Sequence, residues 1–578
     1  MDADERVTME VAERDWGQRP LILGAIGLAA GLLAHLILGV DMSTLSTLQA
    51  ASLTAVTLAA VLTGFTLERR LWWASVLFSL AVAGIGALIV AWNGPPDDWG
   101  VGEGWRMVSL LMAVAIAAPL FQAARDEGAR RFPYPAVHDH AWTNVVLFGA
   151  CCLFVGITFA LAWLLAMLFD LIKISFLKEL LEKEWFWRGL IGLAFGGALG
   201  LLREHDGVVR LLQRVVAMVL AVLAPVLAIG LILFVLALPF TGLNALWEAT
   251  SATTPILLCC VAGALILANA VIGNAPDQER RSPPLRYGAM GLAAVILPLA
   301  VLAAVAIQLR IGQYGYTPER LWAVVFIGIA CLWGAAYLAA LVRGRRAWAA
   351  RVRPLNLTLA FLVCGVALLL ATPLISFNAI STRDQVARLE SGRVTAEKFD
   401  WRALAFDFGE PGKAALKRLQ ASRNVAIRER AGQVAKAGNR WDVPESVPSR
   451  AEVARRIRVL PAGAKLSEGV LDQLATLSCT ASESGCTVLV VDPTTVAVLR
   501  DSCFAHGGNW LCNNADQLRF VGGKWIGDAP TRSPQSDADT KAKGEAQRKG
   551  YAAGQVETRA VSRRQLYVGG VPVGDPFE

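Results

Sequence analysis

Residues 343–382 read RGRRAWAARVRPLNLTLAFLVCGVALLLATPLISFNAIST. The first eleven hold five arginines, and from Pro354 to Thr382 no side chain carries a charge. A bilayer core of about 30 Å needs roughly 20 apolar helical residues to cross it, and this run is long enough. Upstream the chain repeats the pattern of apolar run and basic border. Downstream it changes to a water-soluble composition.

Eleven apolar segments follow from length and from charged or turn-rich borders. They lie near Pro20–Val40, Leu48–Leu67, Leu71–Trp92, Met107–Ala124, Trp142–Phe169, Trp185–Leu202, Val215–Phe240, Pro255–Gly273, Gly288–Leu309, Leu321–Val342 and Leu355–Phe377. The expected fold is an all-α multipass membrane bundle of about eleven transmembrane helices, with a small C-terminal α/β soluble domain and a flexible tail. The 578 residues are 55% hydrophobic and only 18% charged, below the roughly 25% of soluble proteins. Mean hydropathy is positive, +0.48. The net charge of +8 would suggest nucleic acid if it clustered on a soluble face. Many arginines instead border apolar runs, so no nucleic-acid partner is expected and the lipid bilayer is the first partner.

The sixth segment is the weak one, because only Gly189–Leu202 is free of charge. Fourteen helical residues span about 21 Å, so a crossing there needs the aromatic lead-in Trp185, Phe186 and Trp187, with Arg188 snorkelling to the interface. The positive-inside rule favours the crossing. With eleven passages, 19 of the 26 lysines and arginines before Arg383 fall on the side of the N-terminus. With ten, the split is 10 to 16. The N-terminus is therefore expected in the cytoplasm and the C-terminus in the periplasm. The first 19 residues mix acids and bases, and no clear small-residue cleavage site follows the first apolar segment, so that segment is expected to stay as an anchor.

The expected organisation is a cytoplasmic N-terminal tail (1–19), a transmembrane helical bundle (20–377), post-membrane amphipathic helices (378–443), a soluble cysteine-containing periplasmic domain (444–528) and a flexible polar tail (529–578). Before the sixth segment, DLIKISFLKELLEKEW spaces Ile174, Leu177 and Leu181 helically among charges. It reads either as a helix on the outer membrane face or as an extension of the fifth helix. Past the bundle, CTVLVVD reads as a strand and LRFVGGKWIG as a hairpin turning at Gly522–Gly523, with RRQLYVGGVPVG as an ordered tip within the tail.

Six cysteines, Cys151, Cys152, Cys259, Cys260, Cys331 and Cys364, fall in apolar segments and read as small buried hydrophobes. The other four, Cys479, Cys486, Cys503 and Cys512, sit together in the soluble region. An even number on a non-cytoplasmic side reads as two disulfides with three possible pairings. Free thiols and a metal site through the Cys503-x-x-His506 spacing are the alternatives, the latter without a second tight ligand pair.

Chemistry-bearing residues are few. His35, Asp170 and Asn269 are the intramembrane polar candidates; a lone histidine such as His35 more often serves as a helix–helix hydrogen-bond partner, and Asp170, at the interface, is within sequence reach of a simple pair with Lys173. The loop RRFPYPAVHDHAW gathers His138, Asp139 and His140. There is no Walker loop, GxSxG, HExxH or Rossmann fingerprint. No catalytic residue, cofactor or metal is assigned. The functional expectation is a non-enzymatic inner-membrane protein that presents its periplasmic domain for sensing or for interaction with envelope proteins. A transporter or flippase is the first alternative, and a membrane-embedded transferase on a lipid-linked substrate, using His138, Asp139 and His140, is the second.

Two further stretches carry a resemblance. QYGYTPERLWAVV (Gln313–Val325) and RDQVARLESGRVTAEKFDWRALAFDFGEPGKAALKRL (Arg383–Leu419) resemble the bacterial multipass membrane family named domain of unknown function 4153. Tyr314, Thr317 and Arg320 resemble its tyrosine, threonine-proline, arginine pattern before a helix. Arg388, Leu389, Gly392, Phe399, Asp400, Leu404 and Gly409 resemble its post-membrane helix pair. The resemblance spans roughly Gly128–Leu419 and implies an inner-membrane protein of undetermined activity, with no catalytic residue to carry over.

Overall fold

The computed structural model describes residues 16–39, 45–128, 131–241, 253–440, 443, 450–475, 477, 486–500, 504–506, 509–511, 515–528, 546, 548–550, 552–560 and 564–577. The chain divides into two compact units, residues 1–385 with 408–411, and residues 386–407 with 412–578.

The first unit holds eleven helices long and apolar enough to cross a membrane. They are α1 (Arg19–Leu38), α2 (Thr47–Thr66), α3 (Trp72–Asn93), α4 (Val101–Glu127), α5 (Tyr134–Leu171), α6 (Glu184–Glu204), α7 (Asp206–Thr241), α8 (Thr253–Ile272), α9 (Pro283–Tyr314), α10 (Pro318–Gly344) and α11 (Trp348–Ala371). Each expected segment has its helix. The last one starts earlier and stops earlier than expected. Its first turns take in Arg351 and Arg353, and Thr372 is extended (φ −83°, ψ 161°) because Pro373 bars the residue before it from helical geometry. The peptide Phe176–Glu182 forms its own short helix, since α5 ends at Leu171 and Lys173 adopts φ 63°. It does not extend α5.

α6 has the lowest hydropathy of the eleven. Packing supplies the reason. At 21 residues it is roughly 31 Å long, and it lies against α1 with backbone touching backbone. A Cβ added to Gly27 would sit 2.0 Å from the Gly192 carbonyl oxygen, and one on Gly192 would sit 2.0 Å from that of Gly27. Gly31, Gly196 and Gly200 are in similarly close contact with Arg188, Leu23 and Pro20. Small residues at this spacing let membrane helices gain dispersion contacts that larger side chains would block, and they lower hydropathy as they do so. Arg188 is also placed otherwise than expected. It does not snorkel outward but is buried, donating to His35 Nδ1 at 3.0 Å and to the Gly39 carbonyl at 3.2 Å beyond the end of α1.

The largest core of the first unit gathers Leu292, Ile296, Leu299 and Ala303 of α9 against α7, α8 and α10. Helix α12 (Phe377–Glu390) begins after α11. Its Asn378 donates to both oxygens of buried Glu103 on α4, at 2.9 and 2.7 Å, and Glu103 also accepts from the Gly100 amide at 3.0 Å.

In the second unit, Asp400 Oδ1 accepts from the Ala403 amide at 2.9 Å, opening a π-turn over Ala403–Asp407. The rings of Phe399 and Trp401 meet edge to face at 4.9 Å. Helices α13 (Gly409–Leu419), α14 (Val425–Val434), α15 (Arg450–Arg456) and α16 (Glu468–Leu474) are short. A five-stranded sheet has the order β1-β2-β3-β6-β7. Its strands are β1 (Ile457–Leu460), β2 (Cys486–Asp492), β3 (Thr495–Arg500), β6 (Ala515–Val521) and β7 (Lys524–Asp528), with β1 parallel to β2 and the other pairs antiparallel. The β6–β7 hairpin turns at Gly522 (φ 60°) and Gly523 (φ 81°), left-handed positions that glycine fills without strain. Val488, Val496 and Val498 face α15 and α16, whereas Leu489, Ala497 and Leu499 pack against Leu566. Strands β2 and β3 are thus covered on both faces, which explains the unbroken apolar run VLVV. Two smaller sheets complete the unit, β4 (Phe504–His506) with β5 (Asn509–Leu511), and β8 (Val556–Ala560), β9 (Arg564–Val568) and β10 (Val571–Phe577). Strands β9 and β10 fall on RRQLYVGGVPVG, the tip expected to be ordered, and β8 immediately precedes it.

Replacing Gly27 or Gly192 by leucine should force α1 and α6 apart and reduce the yield of monodisperse protein at least several-fold, read by fluorescence-detected size exclusion. Gly197→Ala, where an added Cβ meets nothing within 4 Å, should behave as the parent chain.

Candidate site: an arginine-lined cavity at one end of the bundle

Antiparallel succession returns every second inter-helix junction to the end of the bundle where α1 starts. There the ends of α2, α4, α6 and α8 and the starts of α3, α5 and α7 surround a cavity of about 1600 Å³. Arginines bound it, and they divide into two kinds.

The first kind is committed to helix ends. Arg203 donates to the Leu67 carbonyl at 2.9 Å and to the Gly64 carbonyl, and it pairs with Glu68. Arg19 reaches Glu68 at 2.8 Å and the Arg203 carbonyl at 2.8 Å. Arg125 donates to the Thr66 carbonyl and lies 2.7 Å from Asp126. Carbonyls at a helix C-terminus lack intrahelical donors and carry the negative end of the dipole, so a guanidinium fork answers both. Each charge-assisted bond of this kind contributes on the order of 1.5–3 kcal/mol. Just beyond the cavity, Arg353 repeats the device on α8, donating to the Ile272 carbonyl at 2.7 Å.

The second kind comprises Arg69 and Arg70 in the α2–α3 turn, Arg210 and Arg214 one turn apart on α7, and Arg280 between α8 and α9. Among the described residues these five side chains have neither a hydrogen-bond nor an ion-pair partner.

Uncharged polar groups line the deeper wall. Asn144 donates to Gln122 Oε1 at 2.7 Å, and Gln122 donates to the Phe65 carbonyl at 3.0 Å. Gln213 donates to Thr143 Oγ1 at 2.5 Å. Asn269 reaches the cavity from a closed ring with Tyr337 and Asn356. Asn269 donates to Tyr337 OH (2.8 Å), Tyr337 OH to Asn356 Oδ1 (2.9 Å), and Asn356 to Asn269 Oδ1 (2.8 Å). Each amide of the ring is satisfied, which makes it a fastening of α8, α10 and α11 in low dielectric.

The residues singled out from the sequence are scattered. Asn269 and the triplet His138, Asp139, His140 line the cavity. The triplet's members turn to three different partners. His138 Nδ1 lies 3.0 Å from Tyr134 OH, Asp139 accepts from Asn274 at 2.5 Å, and His140 Nε2 lies 3.0 Å from Asp126 Oδ2. Among the described residues no group of three or more His, Cys, Asp or Glu could hold a metal ion. His35 binds Arg188 at the far end of α1, and Asp170 pairs with Lys178 at 3.3 Å rather than with Lys173. Cys486 is buried on β2 and disulfide-bonded, and Cys479, Cys503 and Cys512 lie outside the described residues.

The sequence profile of a family described as "Domain of unknown function (DUF4153)" matches residues 28–418. The chain belongs to the DUF4153 family. The match begins a hundred residues before the span of the resemblance, so the second half of α1 and all of α2 through α4 are part of the DUF4153 region, and so is the cavity from Phe65 to Arg280. Neither a curated protein nor a solved structure matches the chain. The tyrosine, threonine-proline, arginine pattern acquires a physical role. Gly315 ends α9 at φ 76°, Thr317 caps α10 by accepting from the Arg320 amide, and Arg320 turns back to the Gly315 carbonyl at 2.7 Å with its guanidinium over the Tyr314 ring.

In the sequence Arg19, Arg69, Arg70, Arg125, Arg203, Arg210, Arg214 and Arg280 read as topology markers. Their convergence was already implicit in their shared side, but the division into capping and unpaired groups depends on side-chain geometry. Arg203→Lys keeps the charge and loses the fork, so it should lower the apparent thermal midpoint in detergent by the equivalent of about 1–3 kcal/mol, with Arg203→Gln at least as damaging.

Proposed function

We propose that this DUF4153 protein is a non-catalytic inner-membrane protein that takes a phosphate-class anion into the arginine-lined cavity on its cytoplasmic side. The observation that carries the reading is the convergence of Arg69, Arg70, Arg210, Arg214 and Arg280, without partners among the described residues, on one polar-walled cavity. Like charges brought together raise the free energy of the empty state, and an anion relieves it. Guanidinium forks match the oxygens of phosphate in pairs. Topology alone requires arginines on the correct side of the membrane; it does not require them to face a cavity whose walls continue inward to Asn144.

The odd number of spans supports a soluble unit in the periplasm, where Cys479, Cys486, Cys503 and Cys512 would form two disulfides. Ligand on one side and a stapled domain on the other suit a sensing or interaction protein. The transferase reading loses support because His138, Asp139 and His140 are each engaged separately. A transporter or flippase would use the same cavity and would show ligand-dependent flux in liposomes.

Titration of the detergent-purified full chain with pyrophosphate should show saturable binding by calorimetry. Arg210→Gln/Arg214→Gln should weaken it at least tenfold. No saturable heat, or equal affinity in the variant, contradicts the reading.

A further inference from the structure

The cavity is deeper than an anion alone requires. Its lining on α5 runs from Ala136 to Leu147, a rise of roughly 16 Å, and its volume of about 1600 Å³ exceeds the roughly 300–1,000 Å³ common for small-molecule sites. Beyond the polar lining, Leu147 follows Asn144 on α5 and Ala217 follows Arg214 on α7, each further from the start of its helix. On both helices the lining therefore ends on an apolar side chain.

The side wall made by α5 and α7 is one helix thick. Asn144 and Leu147 of α5 face the cavity while Val145 and Phe148 beside them are 65% and 54% exposed. Gln213, Arg214 and Ala217 of α7 face it while Leu211, Val215 and Met218 are exposed. On a membrane span, such large apolar side chains stand in lipid. Across this wall the Gln213–Thr143 hydrogen bond is the one polar tie between α5 and α7 among the described residues.

We infer that the ligand is a phosphorylated amphiphile, its head held by Arg69, Arg70, Arg210, Arg214 and Arg280 and its apolar tail leaving to the bilayer between α5 and α7. This rests on the anion-binding reading above and adds where the rest of the molecule goes. Burying an alkyl chain between two lipid-exposed helices keeps it in apolar surroundings throughout, so the tail adds affinity that a free phosphate lacks. The Thr143–Gln213 contact lies across the tail's exit.

The test compares glycerol 3-phosphate with lysophosphatidate, which has the same head and one acyl chain, on the full chain in detergent. Lysophosphatidate should bind at least tenfold tighter. A Thr143→Cys/Gln213→Cys variant joined by a cleavable bismaleimide should lose that advantage while retaining glycerol 3-phosphate affinity, and cleavage should restore it. The unreacted variant and the reagent-treated parent chain report on folding and on the native cysteines. Equal affinity for the two probes, or an advantage that persists in the cross-linked variant, overturns the amphiphile. Binding of neither probe overturns the anion reading as well.

Discussion

A membrane helix that stops near the bilayer boundary leaves carbonyls without donors where water is scarce, and this chain answers them with arginines borrowed from other helices. Arg188 serves the end of α1, Arg203 and Arg125 that of α2, Arg19 that of α6, Arg353 that of α8 and Arg320 that of α9. A glycine cap satisfies such carbonyls locally. An arginine from a neighbour does so while fixing two helices to each other, at a distance set by the rigid fork. The cost is a guanidinium drawn out of water, offset here by Glu68, Asp126, Glu184 and Glu279 beside five of them, Glu68 serving both Arg19 and Arg203.

The same device separates structural from available charge. Once the helix ends have taken Arg19, Arg125 and Arg203, the remaining arginines of the cavity have no structural duty among the described residues, and their concentration is what gives that end of the bundle a chemical character. The α1–α6 contact belongs to the same framework. Glycine-mediated backbone approach brings Arg19 of α1 within reach of the α6 terminus, and Arg188 of α6 within reach of the α1 terminus. The pair is therefore clasped at both ends.

Much of this architecture was legible in the residues. Eleven helices stand where apolar runs and basic borders put them, because bilayer thickness demands length and composition together. The hairpin at Gly522–Gly523 was legible for a different reason, since two adjacent glycines between apolar alternations admit few other geometries. What escaped was whatever depends on three-dimensional neighbours. α6 extends well beyond the charge-free Gly189–Leu202 because Arg188 does not face lipid: it pairs with Glu184 at 2.7 Å and turns onto α1. α4 starts before the apolar run Met107–Ala124 because Glu103 is buried between Asn378 and its own helix start. The arginines of the cavity were visible as a list and not as a place.

The account turns on α6 crossing the membrane, because that crossing sets the side of every later helix end and hence gathers Arg210, Arg214 and Arg280 with Arg69 and Arg70. Single cysteines at Lys183 and Gly207 bracket it, in a chain whose native cysteines are replaced by serine. Labelling with a membrane-impermeant maleimide should reach Lys183→Cys in intact spheroplasts and Gly207→Cys only in inverted vesicles. Labelling of both from the same side would contradict the crossing, and with it the single arginine-lined cavity.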